Sequence, residues 1–437
     1  MTIKPLSPTI SSGKKGLLLF ALAACSAAAH AADSVIFIHP DGAGVAAWNA
    51  MRMIEKGPDG ELHWDRLPAV ALYRGHMSNN LTATSNGGAT AHAYGIKPPA
   101  SSFGADPKTG RPLTSASGFQ GSLMMEALER GIRCGLINSG SIIEPGTAVF
   151  AAASEKRSNY EQITRDVLES GVDIILSGGE EWMLPEGTKG RHVASGRRTD
   201  NLNLIEEAKA RGFVVVYNRE ELEAVPADTK KLLGVFAPAH TFNDQADAEL
   251  IKSNTPLYRP DAPTLAEMTA KALELLENKQ FFLVIEEEGS DNFGNYNNAR
   301  GMLEALRRAD EAMGIAIEFV EKHPGTLVVT AADSEAGDPD VVGLDSETAL
   351  ALAERGDNRD VNGAPYSVSA DGSPFLSAPD RAGLRHPFVI TWGSKNDTSG
   401  GIVVRATGSG SEKVRGSFDN TDIFRVMREV LLGDLKK

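Results

Sequence analysis

The sequence predicts an α/β protein, a three-layer sandwich whose central, mostly parallel sheet is flanked by helices. Three observations carry that expectation. Short runs rich in β-branched and apolar residues recur from end to end, and segments with helical periodicity fill the spaces between them. The runs are apolar on both faces, as strands covered from both sides must be. The 437 residues are 41% hydrophobic and 23% charged, with 44 Gly and 22 Pro. Such a composition excludes collagen-like, coiled-coil and disordered chains.

Residues 1–31 read as an export signal. Lys14 and Lys15 give the positive start, 16–24 the short apolar run, and Ala29-His30-Ala31 an A-x-A cleavage site. The run is shorter than the ~20 apolar residues a membrane-spanning helix needs, so no integral span is expected. Leu22-Ala23-Ala24-Cys25 also fits a lipobox, which would leave Cys25 as a lipidated N-terminus. The protein is therefore expected in the periplasm or secreted, with a lipid anchor through Cys25 as the alternative.

Strand candidates follow at 35–39, 69–73, 132–138, 172–176, 213–217, 281–285, 326–330, 388–392 and 402–406. Between them, Thr264 and Glu267 form a T-x-x-E capping box ahead of an apolar face of Leu265, Met268, Ala272 and Leu275. Met302, Leu306, Ala309, Met313, Ile317 and Val320 mark the face of the next helix. Two stretches rich in Gly, Ser, Asp and Pro, about 80–117 and 338–382, break the rhythm as long excursions.

The formal charge is −14, and cleavage would remove Lys4, Lys14 and Lys15 without losing an acid. A chain this acidic, lacking a basic stripe, is not a nucleic-acid binder. An anionic substrate would need local positive charge, and metal ions are the obvious source. Cys134, in an apolar stretch, reads as a buried free thiol with no disulfide partner.

Ligands of open α/β sheets sit at the carboxyl ends of strands. There the sequence places Asp41 in Pro40-Asp41-Gly42-Ala43-Gly44, then Glu286, Glu287 and Glu288 with Asp291, then Asp333-Ser334-Glu335, and Asn396-Asp397-Thr398 after 388–392. Each alone is an ordinary turn. Together at one end of one sheet they would repel strongly unless cations bind. A nucleophile candidate, Ser85, precedes the small residues Gly87 to Ala91, which open a helix able to approach its neighbours closely. At a helix N-terminus it would face an anion, although an N-cap role for Ser85 is the competing reading.

These motifs resemble the alkaline phosphatase family over essentially the whole mature length. Asp41-Gly42-Ala43-Gly44 is similar to its D-G-M-G, and Ser85 through Lys97 to its nucleophile motif ending A-T-A-x-x-x-G-[IV]-K. Asp173 to Gly179 resembles D-V-I-L-G-G-G, and Phe282 to Glu286 resembles F-L-M-V-E. Val328 to Ala331 resembles V-V-T-A, and Arg415 to Thr421 resembles R-G-T-Y-D-N-T. The resemblance implies one catalytic domain over 32–437 and a metal-dependent phosphomonoester hydrolase acting through a phosphoserine. It implies Ser85 as nucleophile, Asp41 as a carboxylate bridging two metal positions, and Glu286 and Thr147 at a magnesium position, with Glu144 beside them. Arg157, followed by Tyr160, resembles the phosphate-clamping arginine, whose bidentate guanidinium suits two phosphoryl oxygens. The substrate would be a small phosphate ester, and a homodimer is left open.

The family's zinc-ligating histidines are replaced in this alignment. Its D-x-x-x-H becomes Asp291 to Asn295, its D-H becomes Asp333-Ser334, its third histidine falls on Asp397, and the aspartate before the nucleophile is Thr84. Beyond the signal, the histidines are His39, His63, His76, His92, His192, His240, His323 and His386, none at a matching position. His39 is expected to point into packing and His92 to lie behind Ser85. Three cation positions are expected: Asp41, Asp333, Ser334 and Ser85; Asp291, Asn295 and Asp397; Glu286, Thr147 and Glu144. Oxygen-only donors favour Mg²⁺, with Mn²⁺ or Ca²⁺ next, over the Zn²⁺ expected for the family. A sulfatase or phosphodiesterase of the same superfamily is the nearest rival, but no C/S-x-P-x-R motif follows Ser85. A non-catalytic binding relative is the other. Against it, Asn, Ser and Asp all keep a ligating oxygen.

Overall fold

The computed structural model describes residues 33–106, 108–356, 358–360 and 363–434. The export signal and Cys25 lie outside the described residues. In chain order the first strands are β1 (Val35–Pro40), β2 (Ala69–Arg74), β3 (Arg133–Ser141), β4 (Ile174–Gly178), β5 (Val214–Val216), β6 (Leu232–Val235), β7 (Phe281–Glu287) and β8 (Leu327–Thr330). After them come β9 (Glu335–Ala336), β10 (Pro339–Gly343), β11 (Tyr366–Ser367), β12 (Phe375–Leu376), β13 (Pro387–Trp392), β14 (Asp397–Thr398), β15 (Val403–Gly408) and β16 (Arg415–Asp419). Ten of them form one sheet in the order β16-β2-β15-β8-β1-β7-β3-β4-β6-β5. Only β15 runs against its neighbours. The sheet is therefore mostly parallel, as predicted.

The alternation of side chains along β1 shows the three layers. Ile36 and Ile38 join one core with helices Leu265–Leu276 and Ala299–Lys322. Val35 and Phe37 join a second core, with helices Ser85–Tyr94, Pro145–Ala151 and Asn420–Leu432. Every residue of β1 and β7 is buried, because helices cover both faces. The predicted capping box is present: Glu267 N–H donates to Thr264 Oγ1 at 3.2 Å, and Thr264 N–H donates to Glu267 Oε2 at 2.7 Å. Cys134 is a buried free thiol. Among the described residues no helix is long and apolar enough to cross a membrane.

The strand at 388–392 is real but belongs elsewhere. β13 sits in a separate antiparallel sheet with β10, β11 and β12, much of it supplied by the 338–382 excursion. Its apolar run matches a buried strand of either sheet, so the sequence pattern did not separate them. Asp397 is carried instead by β14, which pairs with β9 so that Asp397 lies opposite Ala336. Two main-sheet strands escape the sequence pattern. β6 is short and interrupted by Gly234, and β16 is an edge strand with only Phe418 buried.

Candidate metal centre and active-site cleft

Asp41 follows β1 directly and is completely buried. Gly42 turns the chain with φ +68°, and a Cβ there would lie 2.7 Å from Asp291 Oδ1. The glycine thus lets Asp41 sit against helix Gly289–Asn295, which carries Asp291. Both carboxylate oxygens of Asp41 are buried without a hydrogen-bond partner. Asp41, Glu288 and Asp291 each offer an oxygen within 4.8 Å of the others, and His39, Asp41 and Glu286 do the same with one ring nitrogen and two oxygens, His39 Nε2 standing 3.6 Å from Asp41 Oδ1.

Glu286 is gripped on one side only. Asn138 Nδ2 and the Thr147 hydroxyl (3.3 Å) both donate to its Oε2, while Oε1 has no partner. Thr147 comes from helix Pro145–Ala151, preceded by Glu144. Arg157 occupies one oxygen of Glu144 at 2.6 Å. Glu144 is thereby tied to the arginine as well as lying near the expected magnesium position.

Asp291, Asn295 and Asp397 also meet. Asn295 Nδ2 donates to both oxygens of Asp291 at 3.2 Å and to Asp397 Oδ1 at 2.9 Å. Its own Oδ1 is buried and unpartnered. Rotating the amide would exchange the nitrogen for this oxygen between the two carboxylates. Asp333 and Ser334 are buried after β8, with Ser334 Oγ 3.4 Å from Asp333 Oδ1 and Asp333 Oδ2 free.

The N-cap of helix Ser85–Tyr94 is Thr84, not Ser85: Gly87 N–H donates to Thr84 Oγ1. Ser85 is therefore the first helical residue, with its hydroxyl spared the capping role. Gly88 makes the predicted close approach, since a Cβ there would fall 2.1 Å from Asp333 Oδ2. Ser85, Arg157, Glu288, Asp291 and Asp397 line one open cleft of about 510 Å³.

Burial is the leading cause of the site's electrostatics, and for Glu288, Asp291 and Asp333 repulsion by a neighbouring acid is the second. Glu286 is pushed up to about 8, and Glu288, Asp291 and Asp333 rise well above the usual carboxylate range. Asp41 goes the other way. Burial would raise it, but His39, Asp333 and Ser85 act together to hold it low. Burial would lower His39, yet the adjacent Asp41 carboxylate prevails and raises it to about 10.

A family model described as Alkaline phosphatase matches residues 32–432. The chain belongs to the alkaline phosphatase family. It is 27% identical to the alkaline phosphatase of Escherichia coli (strain K12) over 446 residues, covering 92% of this chain and 86% of that protein. The alkaline phosphatase of Gadus morhua is 26% identical over 340 residues, 69% of each chain. Two solved structures share the fold. The alkaline phosphatase of Thermus thermophilus gives a TM-score of 0.71 at 20% identity, covering 93% of this chain and 92% of that one. That of the Antarctic bacterium TAB5 gives 0.69 at 20% identity, covering 93% and 100%.

Alkaline phosphatases are metal-dependent, and the donors of this family member suit divalent cations. Asp41 Oδ1 and Oδ2, Glu286 Oε1, Glu288 Oε2, Asp333 Oδ2, Asn295 Oδ1 and His39 Nε2 are all buried acceptors without partners. Leaving so many unpaired in one place is costly unless positive charge satisfies them. Asn138 is not singled out in the sequence, and Glu288 and His39, though named there, are given no cation position. His39 is the penultimate residue of β1, two before Asp41, and Glu288 is the N-cap of helix Gly289–Asn295, directly after β7, so each lies at the strand end that carries an expected ligand. His39 packs as expected and also reaches the site. Its ring does pack against Phe37 and His92, but its Nε2 turns to Asp41 at 3.6 Å.

Proposed function

We propose that this protein hydrolyses small phosphate monoesters through a phosphoserine formed on Ser85, with residues 32–437 as one catalytic domain acting after export. The observation that carries the reading is the cleft that Ser85, Arg157, Glu288, Asp291 and Asp397 line together. A hydroxyl beside a cationic fork and a helix N-terminus suits a phosphoryl group better than a neutral ester.

Asp41, Asp333 and Ser334 would hold one divalent cation, Asp291, Asn295 and Asp397 a second, and Glu286 and Thr147 a third. Bound there, the cations supply Lewis-acid chemistry, lowering the pKa of a hydroxyl or water and neutralising phosphoryl charge. Ser85 Oγ attacks phosphorus in line, forming its P–O bond as the ester P–O bond breaks and the leaving oxygen takes up a proton. Water then attacks the phosphoserine from the opposite side, releasing phosphate and returning the proton to Ser85. Arg157 holds equatorial oxygens, and Glu144, bonded to one of its amino groups at 2.6 Å, fixes the direction of the fork. Thr84 and the amides of the first helical turn orient the anion toward Ser85.

Ser85→Ala should lower phosphomonoester turnover by roughly 10³-fold or more while the metal content of the purified protein stays the same. Turnover retained by the variant would refute Ser85 as the nucleophile. Wild-type preference for a sulfate ester or phosphodiester would move the activity elsewhere in the superfamily. A wild-type protein with neither metal nor turnover would be a non-catalytic relative.

A further inference from the structure

We propose that His39 is a metal ligand, its Nε2 sharing one divalent cation with Asp41 and Glu286. The proposal rests on the metal-dependent reading above and changes the composition of one cation position, from oxygen alone to one imidazole nitrogen with carboxylate oxygens.

The hydrogen bonding of the ring fixes which nitrogen is available. His39 Nδ1 lies 2.8 Å from the carbonyl oxygen of Ala331. A carbonyl only accepts, so the proton sits on Nδ1. Nε2 is left buried and unpartnered, facing Asp41 Oδ1 at 3.6 Å. That separation is too long for an N–H···O bond, which closes to about 2.7–3.2 Å. It is close to the edge of a tetrahedral ion, since donors each about 2.0–2.2 Å from a metal stand roughly 3.4 Å apart.

The third donor is equally poised. Glu286 Oε1 is unpartnered, its twin oxygen being held by Asn138 and Thr147, and His39, Asp41 and Glu286 each bring one donor atom within 4.8 Å of the others. The Ala331 carbonyl gives the outer contact that fixes tautomer and orientation in metal-ligating histidines. Gly146 leaves the room, because a Cβ there would fall 1.9 Å from Glu286 Oε1 and 2.7 Å from the His39 ring. The imidazole comes from strand β1, not from the three positions where the resemblance places the family's histidines. One imidazole shifts the preference of this position toward Mn²⁺, Co²⁺ or Zn²⁺ relative to Mg²⁺ and Ca²⁺.

The competing role is an imidazolium serving as a fixed counter-charge to Asp41. Crystals of the full-length mature protein soaked in Mn²⁺, examined by anomalous diffraction, separate the two. The expected result is an anomalous peak about 2.0–2.3 Å from His39 Nε2, shared with Asp41 and Glu286. In solution, His39→Gln should weaken calorimetric Mn²⁺ binding at this position by at least roughly tenfold and Mg²⁺ binding less. Mn²⁺ peaks only around Asp291 and Asp397, with Nε2 contacting Asp41 alone, would overturn the assignment while leaving the metal-dependent reading intact. No Mn²⁺ in the crystal and none bound by the wild type in solution would overturn both. The wild-type crystal decides the question even if the variant fails to fold.

Discussion

Single side chains set the spacing of this site, and glycines set it as firmly as acids. Gly88 lies inside helix Ser85–Tyr94, where replacing glycine by alanine ordinarily gains about 1 kcal/mol. Here the added Cβ would stand 2.1 Å from Asp333 Oδ2 and 2.3 Å from Asp333 Cβ. Overpacking reverses the sign, so Gly88→Ala should cost about 1–3 kcal/mol and depress turnover by displacing Asp333. Thermal denaturation and phosphomonoester assays check both. A stabilised, fully active variant would show that Asp333 need not approach the helix. The convergence of Asp41, Asp291, Asp333 and Asp397 near Ser85 was legible in the sequence, because each follows a strand or lies in a motif of known order. Asn138 was not, since a polar residue inside a strand announces no partner until neighbouring strands are aligned. β3 and β7 pair so that Asn138 stands opposite Glu286, and that register brings its amide to the Glu286 carboxylate.

Strands and helices differ in how much of their own signal the sequence carries, for a physical reason. Elements with strong periodicity or a cap carry their own signal. Helix Leu265–Leu276 has both, and its box survives in full. Thr264→Ala should therefore cost about 1 kcal/mol in a urea titration and leave turnover unchanged, since neither Thr264 nor Glu267 lines the cleft. A loss of activity without a loss of stability would contradict this division of labour. Elements defined by their neighbours carry no such signal. β16 owes its place to parallel pairing with β2, and β13 its sheet to β10 and β11.

Across the whole molecule, two apolar cores sandwich a sheet whose one end gathers buried acids. Glu286 is pushed up to about 8 and Glu287 to about 7, in both cases first by burial. Each binds its proton more tightly when folded than when unfolded, where the value is about 4.3. Their contribution to stability is therefore complete below roughly pH 4 and is lost as pH rises through about 7 to 8. The melting temperature of the metal-stripped protein should fall between roughly pH 5 and pH 8, and added Mn²⁺ should flatten the fall by replacing the protons. A flat profile without metal would mean these acids are already compensated by other charges.

The two-stranded ribbon of β9 and β14 brings Asp397 to acids rooted in β1, β7 and the turn after β8. A chain fragment, or a collapsed intermediate lacking any one of these junctions, presents too few donors to chelate tightly. Affinity for the ion is thus an emergent property of completed assembly, and cation uptake can serve as a clock for the final folding event.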